Sequence, residues 1–120
     1  MKKQKNISTS RPTKATAEQF DMLFPMLKSI YNEIKELSKK KQDGALNEIK
    51  VKMANRILAK VKTILNDDPT VEFLDLLDEV SLPTNSDGVL IIAQFEAAME
   101  QYKAKHYGWT GIEHAWTTSD

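Results

Sequence analysis

The sequence predicts an all-α fold, in which one short and one long helix pack on a long antiparallel helical hairpin, as in a four-helix bundle. Two long stretches, about 17 to 42 and 45 to 65, carry apolar residues every three or four positions, the spacing of one helix face. The connection between them is short and contains Asp43 and Gly44. A short connection of this kind returns the second helix antiparallel to the first.

The size and composition of the chain indicate a single globular domain. It has 120 residues and no cysteine, which excludes disulfides and thiolate metal sites. Its basic start is not followed by an apolar stretch, and no run of 18 consecutive apolar residues occurs, so neither a signal peptide nor a membrane-spanning helix is expected. We therefore expect a soluble, cytoplasmic protein that makes no membrane contact.

The first helix is predicted from a strict heptad of apolar residues. Thr16 and Gln19 match a capping box, which places the helix start at about residue 17. Pro25 predicts either a kink just before it or a helix that begins there. Because such a heptad also forms coiled-coil seams, it favours a homodimer or a hetero-complex. The heptad residues are Phe20, Leu23, Leu27, Ile30, Ile34 and Leu37.

The second helix, about 45 to 65, is predicted to be the central one, because its apolar arc is wide enough to be buried against two neighbours. The arc consists of Ile49, Met53, Ala54, Ile57, Leu58, Val61, Ile64 and Leu65. The remaining surface is basic and is interrupted by polar or small residues, among them Asn55. The candidate contact residues on this solvent face are Lys52, Arg56, Lys60 and Lys62.

Two further helices complete the predicted helical domain, residues 16–108. A short acidic helix is expected at about 70 to 80, with Phe73, Leu74, Leu77 and Val80 towards the core. The last helix is expected at about 86 to 107, capped by Ser86 and packed beside the central helix. Its apolar stripe comprises Ile91, Phe95, Ala98, Met99 and Tyr102.

The two ends of the chain differ in composition. Residues 1–15 carry five basic residues and no acid, which is typical of a flexible basic arm. Residues 109–120 form a tail with two tryptophans and an isoleucine. Trp109, Ile112 and Trp116 are expected either to fold back onto the helices or to dock on a partner, since tryptophan is enriched at interface hot spots.

The charges are distributed unevenly along the chain. Residues 1–65 contain 15 Lys or Arg and six acids, and residues 66–120 contain two Lys and 11 acids, so that a formal net charge of zero divides into +9 and −9. Such an asymmetry indicates association surfaces. Alternatively, the two halves fold together and neutralise each other.

No arrangement of residues typical of a catalytic, cofactor or metal site is found. His106 and His114 are the only histidines, and neither lies in a motif that would pair it with a nucleophile or an acid. The four glycines do not form a phosphate-binding loop, and the acidic segment lacks the ligand spacing of a calcium loop. We therefore expect neither an enzyme nor a cofactor-binding protein, and no small-molecule substrate is indicated.

The sequence is most consistent with a non-catalytic helical interaction module, a small accessory subunit that binds a protein partner or a second copy of itself. The heptad, the charge asymmetry and the tryptophan-containing tail favour this interpretation. The alternative is nucleic-acid binding, in which Lys52, Arg56 and Lys60 follow a phosphate backbone, Asn55 reaches a base edge and the basic arm extends the contact.

Overall fold

A computed structural model describes residues 11–120, and this part of the chain is mostly helical with one small sheet. The prediction of a predominantly helical fold is confirmed. The predicted basic arm lies largely outside the described residues. Within the described range there are three α-helices, one 3₁₀ helix and one β-hairpin: α1 (Lys14–Lys40), α2 (Glu48–Ile64), a 3₁₀ helix (Pro69–Phe73), α3 (Asn85–His106), β1 (Tyr107–Trp109) and β2 (His114–Trp116).

Helix α1, rather than α2, occupies the centre of the fold. It packs against both α2 and α3, whereas α2 and α3 contact each other much less. The expectation that α2 is central, with the last helix packed mainly beside it, is therefore wrong. The helix starts at Lys14, where the Thr13 side chain accepts a hydrogen bond from the Thr16 N–H. Thr16 is not the cap, and Pro25 lies inside the helix instead of at its start.

Helix α2 buries a different face from the one predicted. Asn47 caps its start, and the buried residues are Val51, Ala54, Asn55, Leu58 and Val61. Ile49 and Met53, which were assigned to the buried arc, are 71% and 56% exposed. The prediction failed because apolar residues lie over more than half of the helix surface, while neighbouring elements cover only the side centred on Leu58.

The predicted acidic helix at about 70 to 80 is not formed. Asp68 and Pro69 start a 3₁₀ helix that ends at Phe73, and the chain then continues without helical structure. Leu74 and Leu77 are buried as expected, but Phe73 and Val80 are exposed. Residues 74–80 are held against α2 by hydrogen bonds between Asn55 and the backbone N–H and carbonyl of Leu77. In an α-helix these two backbone groups would be bound within the helix and could not pair with Asn55.

Helix α3 begins next to the loop that joins α1 to α2. Thr84, not Ser86, is its cap. The Asn85 N–H donates to the Gly44 carbonyl at 2.8 Å, and the Leu46 N–H donates to the Pro83 carbonyl at 2.9 Å. A methyl group on Gly88 would lie 2.7 Å from Leu46 Cδ1, so the absence of a side chain at Gly88 allows Leu46 to be buried there.

The C-terminal segment folds back on the helices as an antiparallel β-hairpin, with Tyr107 opposite Trp116 and Trp109 opposite His114. The chain beyond it reaches the start of α1, where the Ser119 N–H donates to the Pro12 carbonyl at 2.9 Å and the Lys14 N–H donates to Asp120 Oδ1 at 2.9 Å. The core of the molecule comprises Phe20, Leu27, Ile34, Leu46, Val51, Ala54, Leu58, Val61, Leu65, Leu74, Leu77, Ile92, Phe95, Ala98, Met99 and Tyr102.

Candidate interaction surface

The outer side of α2 combines positive charge with exposed apolar side chains. We call it the basic face, formed by Ile49, Lys52, Met53, Arg56 and Lys60. All five are exposed, and helical geometry places them on the side opposite Leu58. Ile49 and Met53 therefore contribute apolar surface to a patch rimmed by cations, a composition typical of a contact surface.

The cations of the basic face are sparsely neutralised. Lys52 Nζ lies 3.3 Å from Glu48 Oε2 on the same helix. Across residues 11–120, no carboxylate lies within 4 Å of Arg56 or Lys60. The same holds for Lys62, but this side chain is half-buried and lies on the Leu58 side of α2, not on the solvent face where it was expected. Arg56 and Lys60 therefore keep their charges available to an anionic partner.

Asn55, which we expected on the solvent face, is buried and has a structural role. Its Nδ2 donates to the Leu77 carbonyl and to Glu79 Oε2, both at 2.9 Å, while its Oδ1 accepts from the Leu77 N–H at 2.9 Å. The side chain therefore cannot reach a base edge, and this detail of the nucleic-acid hypothesis is wrong. The signal in the sequence was the position of Asn55 between the apolar residues Val51 and Leu58, four residues before and three after it.

The segment held by Asn55 has the opposite charge. We call Glu72–Val80 the acidic segment. Glu72, Asp75, Asp78 and Glu79 are exposed, as are the apolar side chains of Phe73, Leu76 and Val80. Asp78 accepts the N–H groups of Val80 and Ser81, both at 2.8 Å, and these hydrogen bonds lower the pKa of its carboxyl. Glu72 and Asp75 make no side-chain hydrogen bond or ion pair to another residue of the described chain.

Ion pairs across the two oppositely charged halves are few. Between residues 11–65 and 66–120, the single close pair joins Lys28 Nζ and Glu100 Oε2 at 3.9 Å. The acidic segment lies beside α2, yet its carboxylates make no ion pair within 4 Å of the basic face in the described structure. Ion pairs between the two halves therefore neutralise little of their opposite charges in the described structure.

A buried carboxylate organises the region between the 3₁₀ helix and α3. Asp68 accepts hydrogen bonds from the Thr70 N–H at 2.9 Å, from Thr70 Oγ1 at 2.6 Å and from Lys105 Nζ at 2.9 Å. Burial by itself raises the pKa of Asp68, but the hydrogen bonds from the Thr70 side chain and backbone, together with Lys105, outweigh it and bring the pKa below the ordinary 3.8. The carboxylate is therefore charged and structural.

His106 belongs to the aromatic packing at the end of α3. Its ring centroid lies 4.7 Å from that of Tyr102 in an edge-on arrangement. Burial, followed by the charge of Lys105, lowers the pKa of His106 below 6.5, although Asp68 opposes the shift. The neutral ring is therefore favoured. Burial also raises the pKa of the Tyr102 hydroxyl.

The tail residues separate into two environments. Trp116 is half-buried, 4.8 Å from Phe20 between ring centroids, and its Nε1 donates to the Asp21 carboxylate at 3.2 Å. Trp109 and Ile112 lie towards the turn of the hairpin and are 65% and 86% exposed. Trp116 thus packs on the helices, as the first of our two alternatives expected, whereas Trp109 and Ile112 remain available for contacts.

The described structure has open grooves on its surface. One, of about 180 Å³, lies between the 3₁₀ helix and α3 and is lined by Thr70, Phe73, Leu74, Gln94, Ala97, Ala98 and Gln101. In residues 11–120, no group of three or more His, Asp or Glu side chains is placed to hold a metal ion. None of the helices in this range is long and apolar enough to cross a membrane.

Comparison of the chain with protein-family models, with curated proteins and with solved structures gives no match.

Proposed function

We propose that this protein is a non-catalytic interaction module, an accessory subunit that binds an acidic protein surface through the basic face of α2. The proposal rests on two features of one exposed helix side. Arg56 and Lys60 have no carboxylate within 4 Å in residues 11–120, and the apolar side chains of Ile49 and Met53 beside them are exposed. Interfaces combine an apolar centre with a charged rim in this way.

The apolar pair distinguishes a protein partner from a nucleic acid. A phosphate backbone attracts cations but offers little apolar surface for Ile49 and Met53 to bury. A protein surface can bury both side chains, with a gain of roughly 25 cal/mol per Å² of apolar area removed from water. The same face is therefore better suited to a protein than to a phosphate backbone.

The proposal is tested by capturing partners from the host cell with the tagged full-length chain. Ile49→Ser with Met53→Ser, and Arg56→Glu with Lys60→Glu, should each reduce the recovered partner at least about tenfold, equivalent to about 1.4 kcal/mol. Because all four side chains are exposed, stability should change by no more than about 0.5 kcal/mol per substitution.

The matched control is Lys35→Glu with Lys40→Glu, which changes the net charge equally on exposed positions of α1. It should leave partner recovery unchanged. Recovery that is insensitive to both α2 variants would exclude the basic face as the contact surface.

Nucleic-acid binding is the second candidate, and the exposure of Lys52, Arg56 and Lys60 at successive helical turns favours it. Residues four apart rise by about 6 Å along a helix, so the three cations form a row that could follow phosphates. Binding of labelled DNA or RNA should then weaken steeply with salt, disappear when all three residues become Glu, and be unaffected by Ile49→Ser with Met53→Ser. No binding at low ionic strength would eliminate this candidate.

A further inference from the structure

We infer that the partner of the basic face is the acidic segment of a second copy of this chain, in a two-fold symmetric dimer. The inference rests on the proposed function and specifies its partner. It is carried by the complementarity of two surfaces on one molecule, both defined above.

The two surfaces match in charge and in apolar content. The basic face presents three cations around Ile49 and Met53, and the acidic segment presents four carboxylates among Phe73, Leu76 and Val80. Val80 is 93% exposed, so the segment has apolar surface of its own to bury. An encounter of the two would pair opposite charges and remove apolar surface from water at the same time.

The acidic segment is held in a position that leaves the side chains of Glu72 and Asp75 exposed, while Glu79 is hydrogen-bonded to Asn55 of its own α2. Leu74 and Leu77 are buried in the core, and both backbone polar groups of Leu77 are bound to Asn55. Phe73, Leu76 and Val80 are left on the outer side. The Arg56 and Lys60 side chains of the same molecule do not come within 4 Å of the segment's carboxylates. These carboxylates are therefore accessible to a second molecule.

A two-fold axis satisfies both surfaces at once. The acidic segment is bound to α2 at Asn55, one helical turn from Lys52, so the two surfaces adjoin at the Lys52 edge of the basic face. In an isologous dimer the face of each copy meets the segment of the other, so the same contact forms twice and the assembly closes. The formal net charge of zero means that two copies do not repel each other as a whole.

The experiment is a charge swap, measured by sedimentation equilibrium on the full-length chain over the micromolar range. The face variant, Arg56→Glu with Lys60→Glu, changes cations that have no carboxylate within 4 Å in residues 11–120. The segment variant, Glu72→Lys with Asp75→Lys, changes carboxylates that make no side-chain hydrogen bond or ion pair in the described structure. The wild-type chain should be dimeric at low ionic strength, and each variant alone should dissociate at least about tenfold more readily.

The equimolar mixture of the two variants is the decisive sample. In the mixed dimer the negative face of the face variant meets the positive segment of the segment variant. At the other contact, the unaltered positive face of the segment variant meets the unaltered negative segment of the face variant. Both contacts are thus attractive again, and the mixed dimer should form with a dissociation constant within about threefold of the wild-type value. Lys35→Glu with Lys40→Glu should remain as dimeric as the wild type.

A wild-type chain that is monomeric throughout the concentration range, or a mixture that stays monomeric while the wild type is dimeric, would overturn the inference. Neither result would affect the proposed function, which fails only if capture of host proteins is independent of Ile49, Met53, Arg56 and Lys60. Unfolding in urea shows that each variant is folded before its assembly is measured.

Discussion

The side-chain amide of Asn55 binds both the N–H and the carbonyl of Leu77, each at 2.9 Å. A single helical residue thus replaces the two hydrogen bonds that a neighbouring strand would supply to a strand residue. The pairing holds the acidic segment beside α2 and leaves its outer side chains exposed. It also explains why a polar residue occupies the buried side of this helix, since buried backbone groups require partners.

Replacing Asn55 with Ala should destabilise the fold by about 2 to 4 kcal/mol, because the Leu77 N–H and carbonyl both lose their partner while remaining buried. Urea unfolding followed by circular dichroism measures the change. Asn32→Ala, at an exposed position of α1, is the matched control and should stay within about 0.5 kcal/mol of the wild type. Equal effects of the two substitutions would show that the Leu77 groups do not depend on Asn55.

The two tryptophans should differ sharply in their effect on stability. Trp116→Ala removes the ring packed on Phe20 and the donor to Asp21, and should cost about 2 to 4 kcal/mol, somewhat less than for a fully buried tryptophan. Trp109→Ala, at an exposed site, should change stability by less than about 0.5 kcal/mol. Thermal and urea unfolding of both variants provide the comparison, and similar losses would contradict the separation of the two environments.

Asp68 should make stability depend on pH in the acid range. Since its folded-state pKa lies below the ordinary value of 3.8, the carboxylate stabilises the fold above that value, and this contribution is lost as pH falls through the folded-state pKa. The difference in unfolding free energy between the wild type and Asp68→Asn should therefore be largest near neutral pH and shrink as the pH falls below the ordinary value of 3.8.

Asp78, whose pKa is also lowered, is common to both proteins in that comparison, so its effect cancels in the difference. Lys105→Met removes the cation that, together with the Thr70 hydrogen bonds, lowers the pKa of Asp68 and should weaken the same pH dependence. If the difference in unfolding free energy between the wild type and Asp68→Asn is constant across the acid range, the charged carboxylate is excluded as its origin.

Gly88→Ala should destabilise the junction between α3 and the α1–α2 loop. The added methyl group would lie 2.7 Å from Leu46 Cδ1, and displacing a buried leucine costs about 1 to 3 kcal/mol, offset by a gain of about 1 kcal/mol in helix propensity. We expect a net loss of about 1 kcal/mol in urea unfolding. The control is Gly108→Ala, where the added methyl group meets nothing within 4 Å, and its stability should stay within about 0.5 kcal/mol of the wild type. An unchanged stability of Gly88→Ala would show that Leu46 moves without cost.

The helices themselves followed from local pattern. Apolar residues every three or four positions and strong helix formers identified the three long helices to within a few residues, because a helix face must be apolar wherever it meets the core. The ends were less accurate, since the side chains of Thr13 and Thr84 accept the capping hydrogen bonds of two helices for which Thr16 and Ser86 were predicted as the caps. The basic side of α2 and the apolar character of the tail were also visible in the sequence.

Only the tertiary structure decided which apolar residues are buried. Periodicity could not separate Ile49 and Met53 from Leu58 and Val61, because all four lie on apolar parts of α2 and the choice depends on where α1 and residues 74–80 pack. The same contacts kept residues 74–80 out of a helix, since Leu77 binds Asn55, 22 residues earlier in the chain. Helix formation is local and is readable from sequence, whereas the selection of the buried face and the division between Trp116 and Trp109 depend on contacts between distant residues, which no local pattern contains.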